Sequence, residues 1–263
     1  MQILDFIEQF DIHSWQILSI VFIAAVLAGF INTFAGSGTA INYFLFDLLG
    51  LPISVSNGTV RLGVIMQSLA NTIQFYRKNQ LDIIKGVFIS IPVTIGSVIG
   101  AEIAINIDLK IFEQVIGLVL LFMVFLLFYN PDRWIKGKQK LSSSKARFWH
   151  LLVYFIIGIY GGFIHIGVGV FLMIALVWVS GYNLVKAAAI KMLIVLVYTP
   201  FVFIIFALDG QVEYIIGFIT GAGYMLGGIW AGRMALKWGP GFIRWSLVIF
   251  LSIFSLKLLG LLS

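Results

Sequence analysis

The sequence contains no cysteine, only three histidines and few charged side chains, which make up 11 % of its 263 residues. The lack of cysteine excludes disulfides and thiolate metal sites, and histidines at 13, 150 and 165 do not have the spacing of metal ligands. An ordinary soluble domain has about 25 % charged residues. Because 61 % of this chain is hydrophobic, it cannot cover itself with a water-soluble surface. We therefore expect the lipid bilayer to be its solvent.

Chemistry that an enzyme would need is also lacking. The sequence shows no spaced pair of carboxylates, no metal cluster and no arrangement of a nucleophile with a base. We therefore expect no catalytic residues, no metal and no cofactor. The net charge of +6 would suggest nucleic acid as a partner of a soluble protein, but in a membrane protein it indicates which loops face the cytoplasm. We expect no nucleic-acid partner.

Hydrophobic segments occur in two sets of five. They cover about 15–33, 39–50, 59–76, 83–105 and 111–129, and then 148–165, 170–181, 189–207, 213–232 and 242–262. An offset of 131 residues superposes Gly36-Ser37-Gly38 on Gly167-Val168-Gly169, and Gln80-Leu81-Asp82 on Gln211-Val212-Glu213. The sequence therefore predicts an internal repeat. We expect a first transmembrane repeat at 1–130, a basic cytoplasmic linker at 131–147 and a second transmembrane repeat at 148–263.

Basic and acidic loops exchange places between the two repeats. The loop after the third segment is basic in the first repeat, with Arg77 and Lys78, and acidic in the second, with Asp209 and Glu213. The loops after the fourth segments, at 102–113 and 233–244, show the reverse pattern. Because basic loops face the cytoplasm, we predict inverted repeats with both termini outside. The predicted fold is an all-α polytopic membrane protein with eight full spans and two short broken or re-entrant helices, or up to ten crossings.

The second segment of each repeat is too short to cross a membrane. At about 12 residues it spans roughly 18 Å, against a hydrocarbon core of about 30 Å. The exposed backbone of such a break must face protein or a watery cavity. Paired breaks in two repeats indicate a transporter binding site, and N–H groups at a helix N-terminus favour an anion. The candidate substrate ligands in the breaks are Asn32, Thr33, Gly36, Ser37, Gly38, Thr39 and Asn42, together with His165, Gly167 and Gly169.

Two basic residues, Arg61 and Lys191, lie inside hydrophobic segments at nearly matching positions of the repeats. A cation in hydrocarbon is costly and is a candidate for function, and arginine offers a planar fork to an oxyanion. Both residues are therefore candidate ligands of a doubly charged anion, and the alternative is snorkelling to the membrane interface. Gln67 and Asn71 share one helical face and either line the substrate path or bond a neighbouring helix. For all the glycines of the breaks, close helix packing is the alternative role.

One long stretch resembles the first repeat of the TauE/SafE family of bacterial membrane permeases. It reads GFINTFAGSGTAINYFLFDLLGLP and continues with TVRLGVIMQSLANTIQFYRKNQLD. The shared features are a Gly-Phe-Ile-Asn-Thr opening, a glycine cluster, a Leu-Gly-Leu-Pro turn and a Phe-Tyr-Arg ending, and the family's Thr-Asn-Lys is Thr59-Val60-Arg61 here. The resemblance implies transport of sulfur-containing anions such as sulfite or organosulfonates across the bacterial cytoplasmic membrane, with export as the suggested direction.

Together these features predict a secondary transporter of a small sulfur-containing oxyanion that works by alternating access. The expected partners are a small anionic substrate and the lipid bilayer, and a homodimer is compatible with the sequence. Two alternatives remain open. The same breaks would form a permanent pore in an anion channel, and a membrane scaffold would have no transport activity.

Overall fold

The computed structural model describes residues 11–36, 38–106 and 144–258. All regular structure in these ranges is helical. The helices are α1 (Trp15–Ala35), α2 (Thr39–Leu48), α3 (Ile53–Arg77), α4 (Ile83–Asn106), α5 (Ser144–Phe163), α6 (Val168–Ile174), a π-helix (Ala175–Val179), α7 (Leu184–Leu208) and α8 (Tyr214–Leu258). Ser37, the predicted segment at 111–129 and most of the predicted linker lie outside the described residues.

Four of the described helices contain stretches long and apolar enough to cross a membrane. These stretches are Trp15–Phe34, Ile83–Asn106, Leu184–Leu208 and Tyr214–Trp238, and shorter apolar helices lie at Trp149–Phe163 and Val168–Val179. The chain is therefore an all-helical, multi-pass membrane protein, as predicted.

One predicted loop is wrong. The basic loop expected at 233–244 is part of α8, which continues as one helix from Tyr214 to Leu258. The prediction relied on the basic residues Arg233, Lys237 and Arg244 between two hydrophobic segments. Pro240 lies inside this helix. A proline removes only one backbone hydrogen bond from a helix, and helices in membranes tolerate proline and glycine when the freed backbone groups find other partners. The two segments predicted at 213–232 and 242–262 therefore belong to a single helix.

Local geometry repeats at the predicted spacing of 131 residues. Helices α3 and α7 are each 25 residues long, and their bounds coincide at this offset. A left-handed backbone conformation also recurs in pairs with this spacing: Gly36 with Gly167, Gly50 with Gly181, and Asn79 with Gly210. The same types of turn therefore follow the same helices in both halves.

Each half packs its helices on those of the other half. Helix α1 packs along α8, and α5 packs along α4. A Cβ atom on Gly100 would lie 1.9 Å from the carbonyl oxygen of Ile159, and one on Gly227 would lie 2.0 Å from the carbonyl oxygen of Val26. Only glycine permits backbones to approach so closely. These two glycines therefore join the two halves.

Helices α3 and α7 lie against each other at the centre and run in opposite directions. Near the start of α3, Gly58 lies against the backbone of Gln211, just beyond the end of α7. Farther along α3, Ser68 lines a cavity with Lys191, which is near the start of α7. Residue numbers therefore rise along α3 as they fall along α7. The turn after α3 and the turn after α7 consequently lie at opposite ends of this pair.

Candidate functional site

The two predicted helix breaks are present, and they contact each other. Helix α1 ends at Ala35 and is followed by Gly36, whose φ of 65° is left-handed, while Gly167 precedes α6 with a φ of 73°. A Cβ atom on Gly36 would lie 2.3 Å from the Cα atom of Gly169. The end of α1 and the start of α6 therefore come together through bare backbone in the interior of the protein.

Lys191 of α7 binds the end of α1. Its Nζ donates hydrogen bonds to the carbonyl oxygens of Asn32 at 3.1 Å and Thr33 at 2.7 Å. The last carbonyls of a helix have no partner within the helix and form the negative end of its dipole. Lys191, which is 1 % exposed, donates to two of these carbonyls, and the carbonyl of Asn32 also accepts from the N–H of Gly36 at 3.0 Å.

Arg61 of α3 binds the last carbonyls of α5 in the same way. Its guanidinium donates to the carbonyl oxygens of Gly161 at 2.7 Å and Gly162 at 2.9 Å, and to Asn57 Oδ1 at 3.0 Å. Asn57 Nδ2 in turn donates to the carbonyl oxygen of Phe163 at 2.8 Å. Each buried basic residue therefore caps the first described helix of the opposite half.

Neither of these two basic residues has an acidic partner among the described residues. The ion pairs that the structure contains there join His13 with Asp11 and Glu213, and Lys85 with Asp82. Arg61 is 0 % exposed and contacts carbonyls rather than the protein surface. The snorkelling alternative is therefore wrong for both residues. The junction of the two breaks is a site with basic groups and helix dipoles but no carboxylate.

Several predicted residues form a hydrogen-bonded cluster beside Lys191. The Oε1 atom of Gln67 accepts from Asn32 Nδ2 at 2.9 Å, and its Nε2 donates to Thr33 Oγ1 at 2.9 Å and to the carbonyl oxygen of Gly29 at 2.6 Å. Asn71 Nδ2 donates to Thr33 Oγ1 at 3.1 Å. Gln67 and Asn71 thus hold the last turn of α1 through its polar side chains.

A small cavity of about 10 Å³ lies at the junction. The predicted residues that line it are Asn32, Gly36, Gln67, His165, Gly169 and Lys191. Such a volume has room for about one water molecule, so the site is closed in this conformation. His165 is 2 % exposed, and its Nδ1 lies 3.1 Å from the hydroxyl of Tyr198.

Other predicted ligands lie apart from this cavity. A Cβ atom on Gly38 would lie 2.0 Å from the carbonyl oxygen of Ala28, so Gly38 packs the start of α2 on α1. Gly167 supplies the left-handed turn before α6. The side chains of Thr39 and Asn42 are buried, and their polar atoms have no hydrogen-bond partner among the residues that the structure describes.

Tyr43 and Asn57 are among the residues of the site that were not predicted. Tyr43 donates from its hydroxyl to Asn57 Oδ1 at 2.6 Å, and Asn57 also contacts Arg61. Asn57 precedes Arg61 by four residues, so the two side chains share a helical face. That spacing could have identified Asn57. Nothing in the sequence brings Tyr43, on another helix, to the same point.

The comparison with known families decides the relationship. Residues 21–258 match the family described as "Sulfite exporter TauE/SafE". The chain belongs to this family. It is 30 % identical over 239 residues to a "Probable membrane transporter protein" of Haemophilus influenzae, covering 89 % of this chain and 91 % of that protein. It is 26 % identical over 244 residues to the "Probable membrane transporter protein YfcA" of Escherichia coli, covering 92 % and 90 % of the two chains. No solved structure matches the chain significantly.

Proposed function

We propose that the chain is a secondary transporter that moves a small sulfur-containing oxyanion across the cytoplasmic membrane, in the direction of export. The observation that carries this proposal is the pair of buried basic residues, Arg61 and Lys191, at the junction of two helix breaks without a carboxylate partner. Intramembrane ionisable residues at such breaks are typical of substrate sites. The family description supports transport of a sulfur oxyanion, and the names of the relatives support membrane transport.

The hydrogen bonds of the closed site suggest how binding is coupled to movement. An oxyanion at the junction competes with the carbonyls of α1 and α5 for the same donors on Lys191 and Arg61. Charge-assisted bonds to an anion are stronger than bonds to a neutral carbonyl. When the anion replaces the carbonyls, Lys191 and Arg61 no longer cap the two helix ends, and only Asn57 still caps α5. Binding therefore favours a conformation in which the breaks have rearranged.

Alternating access fits the arrangement of the two halves. The helices of each half pack on those of the other half, and α3 and α7 run in opposite directions. Both features support an inverted repeat, in which one half moves against the other around the central site. The cavity of about 10 Å³ supports a transporter rather than a permanent pore, because a pore would need a continuous opening.

Uptake into proteoliposomes tests the proposal, with sulfite, sulfate, thiosulfate, sulfoacetate, taurine and a carboxylate as solutes. We expect saturable flux and counterflow for at least one sulfur oxyanion. Loss of a charge-assisted hydrogen bond costs about 1.5–3 kcal/mol. Arg61→Ala should therefore raise the half-saturation concentration by roughly ten- to a hundredfold.

Asn57→Ala is the control for lost capping, because it removes one cap of α5 and retains the guanidinium. If Arg61→Ala transports as well as the wild type, Arg61 does not bind the substrate. An equal loss of transport in both variants would show that Arg61 acts only by capping α5. Absence of flux for every anion in the panel would end the transport proposal for this class of solute.

A further inference from the structure

A second and much larger cavity, of about 860 Å³, lies between the end of α3 and the middle of α8. Its lining includes four basic residues, Arg77, Lys78, Arg233 and Lys237, and no acidic residue. All four are exposed. We call this cavity the basic vestibule. Two of its basic residues come from the first half of the chain and two from the second, so the fold brings together charges that are far apart in sequence.

A polar stripe on α3 leads from the basic vestibule to the central site. Gln74 lines the basic vestibule, Asn71 follows about one turn earlier on the same face, and Gln67 lines the small central cavity. The amide oxygens of Asn71 and Gln74 are buried and have no hydrogen-bond partner among the described residues. Buried polar groups need a partner, and these two amides are therefore suited to contact water or a polar solute.

Helix α8 presents two glycines, Gly228 and Gly232, to this stripe. A Cβ atom on Gly228 would lie 2.7 Å from Gln67 Cγ, and one on Gly232 would lie 2.2 Å from Gln74 Oε1. The stripe thus runs between α3 amides and α8 backbone. On this side of α3, the amide side chains of Gln74, Asn71 and Gln67 follow one another from the lining of the large cavity to the lining of the small one.

We propose that the basic vestibule is an anion-collecting site, from which a small oxyanion passes along Gln74, Asn71 and Gln67 to Lys191. A cleft that is lined by charges of one sign raises the local concentration of the opposite ion. The passage of the substrate rests on the proposed function, whereas the attraction of anions rests on the four basic residues alone. Sulfate and the phosphate of an anionic lipid headgroup share the chemistry that this cavity would bind.

The absence of native cysteine permits a direct test. Ala70 lines the basic vestibule, and Ala70→Cys places a single small thiol there. Its reaction rate is measured with an anionic and with a cationic methanethiosulfonate of similar size, in vesicles of neutral phosphatidylcholine. We expect the anionic reagent to be favoured by about tenfold or more at low salt, and the preference to fall as the ionic strength rises.

Two double variants make a matched comparison in the Ala70→Cys background. Lys78→Gln with Lys237→Gln removes two charges from the basic vestibule, and we expect the anionic preference to fall severalfold. Lys85→Gln with Lys186→Gln removes the same charge from another cavity, which Asp82 also lines, and should leave the preference unchanged. Equal effects of the two pairs, or no preference at all, would overturn the proposal. If Ala70→Cys does not fold, Ile73→Cys, which also lines the cavity, replaces it.

Two further measurements identify the anion that occupies the cavity. Protection of the thiol by sulfate in neutral vesicles supports a free oxyanion as the occupant. Protection by phosphatidylglycerol in the bilayer, without sulfate, would overturn the role of the cavity as an entrance for solute. Labelling does not require transport. An anionic preference in a protein that shows no flux would therefore contradict the proposed function and leave the basic vestibule supported.

Discussion

Gly36 is subject to two constraints that a single methyl group would violate. Its φ is left-handed, and a Cβ atom would lie 2.3 Å from the backbone of Gly169. Gly210 has a left-handed φ as well, but nothing lies within 4 Å of its Cβ position. A comparison of alanine substitutions at these two glycines therefore separates the cost of backbone strain from the cost of a clash between the two helix breaks.

Gly36→Ala should lower the unfolding temperature in detergent more than Gly210→Ala does. The left-handed conformation alone costs an L-residue roughly 1–2 kcal/mol, and this is the whole loss that we expect at Gly210. At Gly36 the backbone of the opposite half must also move. Thermal unfolding of the two variants beside the wild type measures the difference, and equal losses would show that the breaks are not in tight contact.

The sequence was sufficient to predict the basic residues of the site but not their partners. Arg61 and Lys191 are conspicuous because charge is rare inside hydrophobic segments, and their repeat positions nearly match. Their acceptors are carbonyls of Gly161, Gly162, Asn32 and Thr33, about a hundred or more positions away. Every residue has a backbone carbonyl, so no residue type in the sequence could identify the carbonyls that accept these hydrogen bonds. The prediction of open anion ligands therefore missed that helix ends already occupy the donors.

At the scale of helices, glycines of α4 show how backbone and side-chain contacts differ. A Cβ atom on Gly100 would lie 1.9 Å from the backbone oxygen of Ile159 in α5, whereas one on Gly86 would lie 2.6 Å from the Cδ2 atom of Leu193 in α7. The end of a leucine side chain can change rotamer, but a helix backbone can only shift as a whole.

Gly100→Ala should therefore destabilise the protein more than Gly86→Ala. Overpacking in a close-packed interior typically costs about 1–3 kcal/mol, and we expect Gly100→Ala to lie at the upper end and Gly86→Ala at the lower end. The loss of folded protein on heating in detergent, followed by size-exclusion chromatography, measures both. A greater loss for Gly86→Ala would contradict the close contact of α4 with α5.

Helix existence was easier to predict than helix ends. The short helices α2 and α6 and the breaks before them follow from local signals, namely glycines and polar residues in a hydrophobic segment. The continuation of α8 through Pro240 did not follow, because a Gly-Pro-Gly sequence permits both a turn and a bent helix. The surroundings of the helix decide between them, and they are not a property of the segment itself.

For the whole molecule, the directions of α3 and α7 predict on which membrane face the turns lie. Lys85 begins the helix after the α3 turn, and Asp209 lies in the turn after α7. Both are exposed. In an inverted repeat these positions face opposite sides of the membrane, and from the distribution of basic residues we predict that Lys85 faces the cytoplasm.

Single cysteines at these positions provide the test. In intact cells, a membrane-impermeant thiol reagent should label Asp209→Cys and leave Lys85→Cys unlabelled, because only the first position faces outward. Inverted vesicles should show the opposite result. Labelling of both positions from one face would contradict the inverted arrangement, whichever solute the protein carries.

The exchange of packing partners between the halves has a consequence for biosynthesis. Helix α1 is translated before the other described helices, yet the surface that covers its Gly29 belongs to α8, the last of them. While the ribosome is translating the middle of the chain, α1 sits in the bilayer with lipid where its protein neighbour will later be. The packing of α1 must therefore wait until α8 has been translated, and a ribosome that stops before α8 leaves α1 without this protein neighbour.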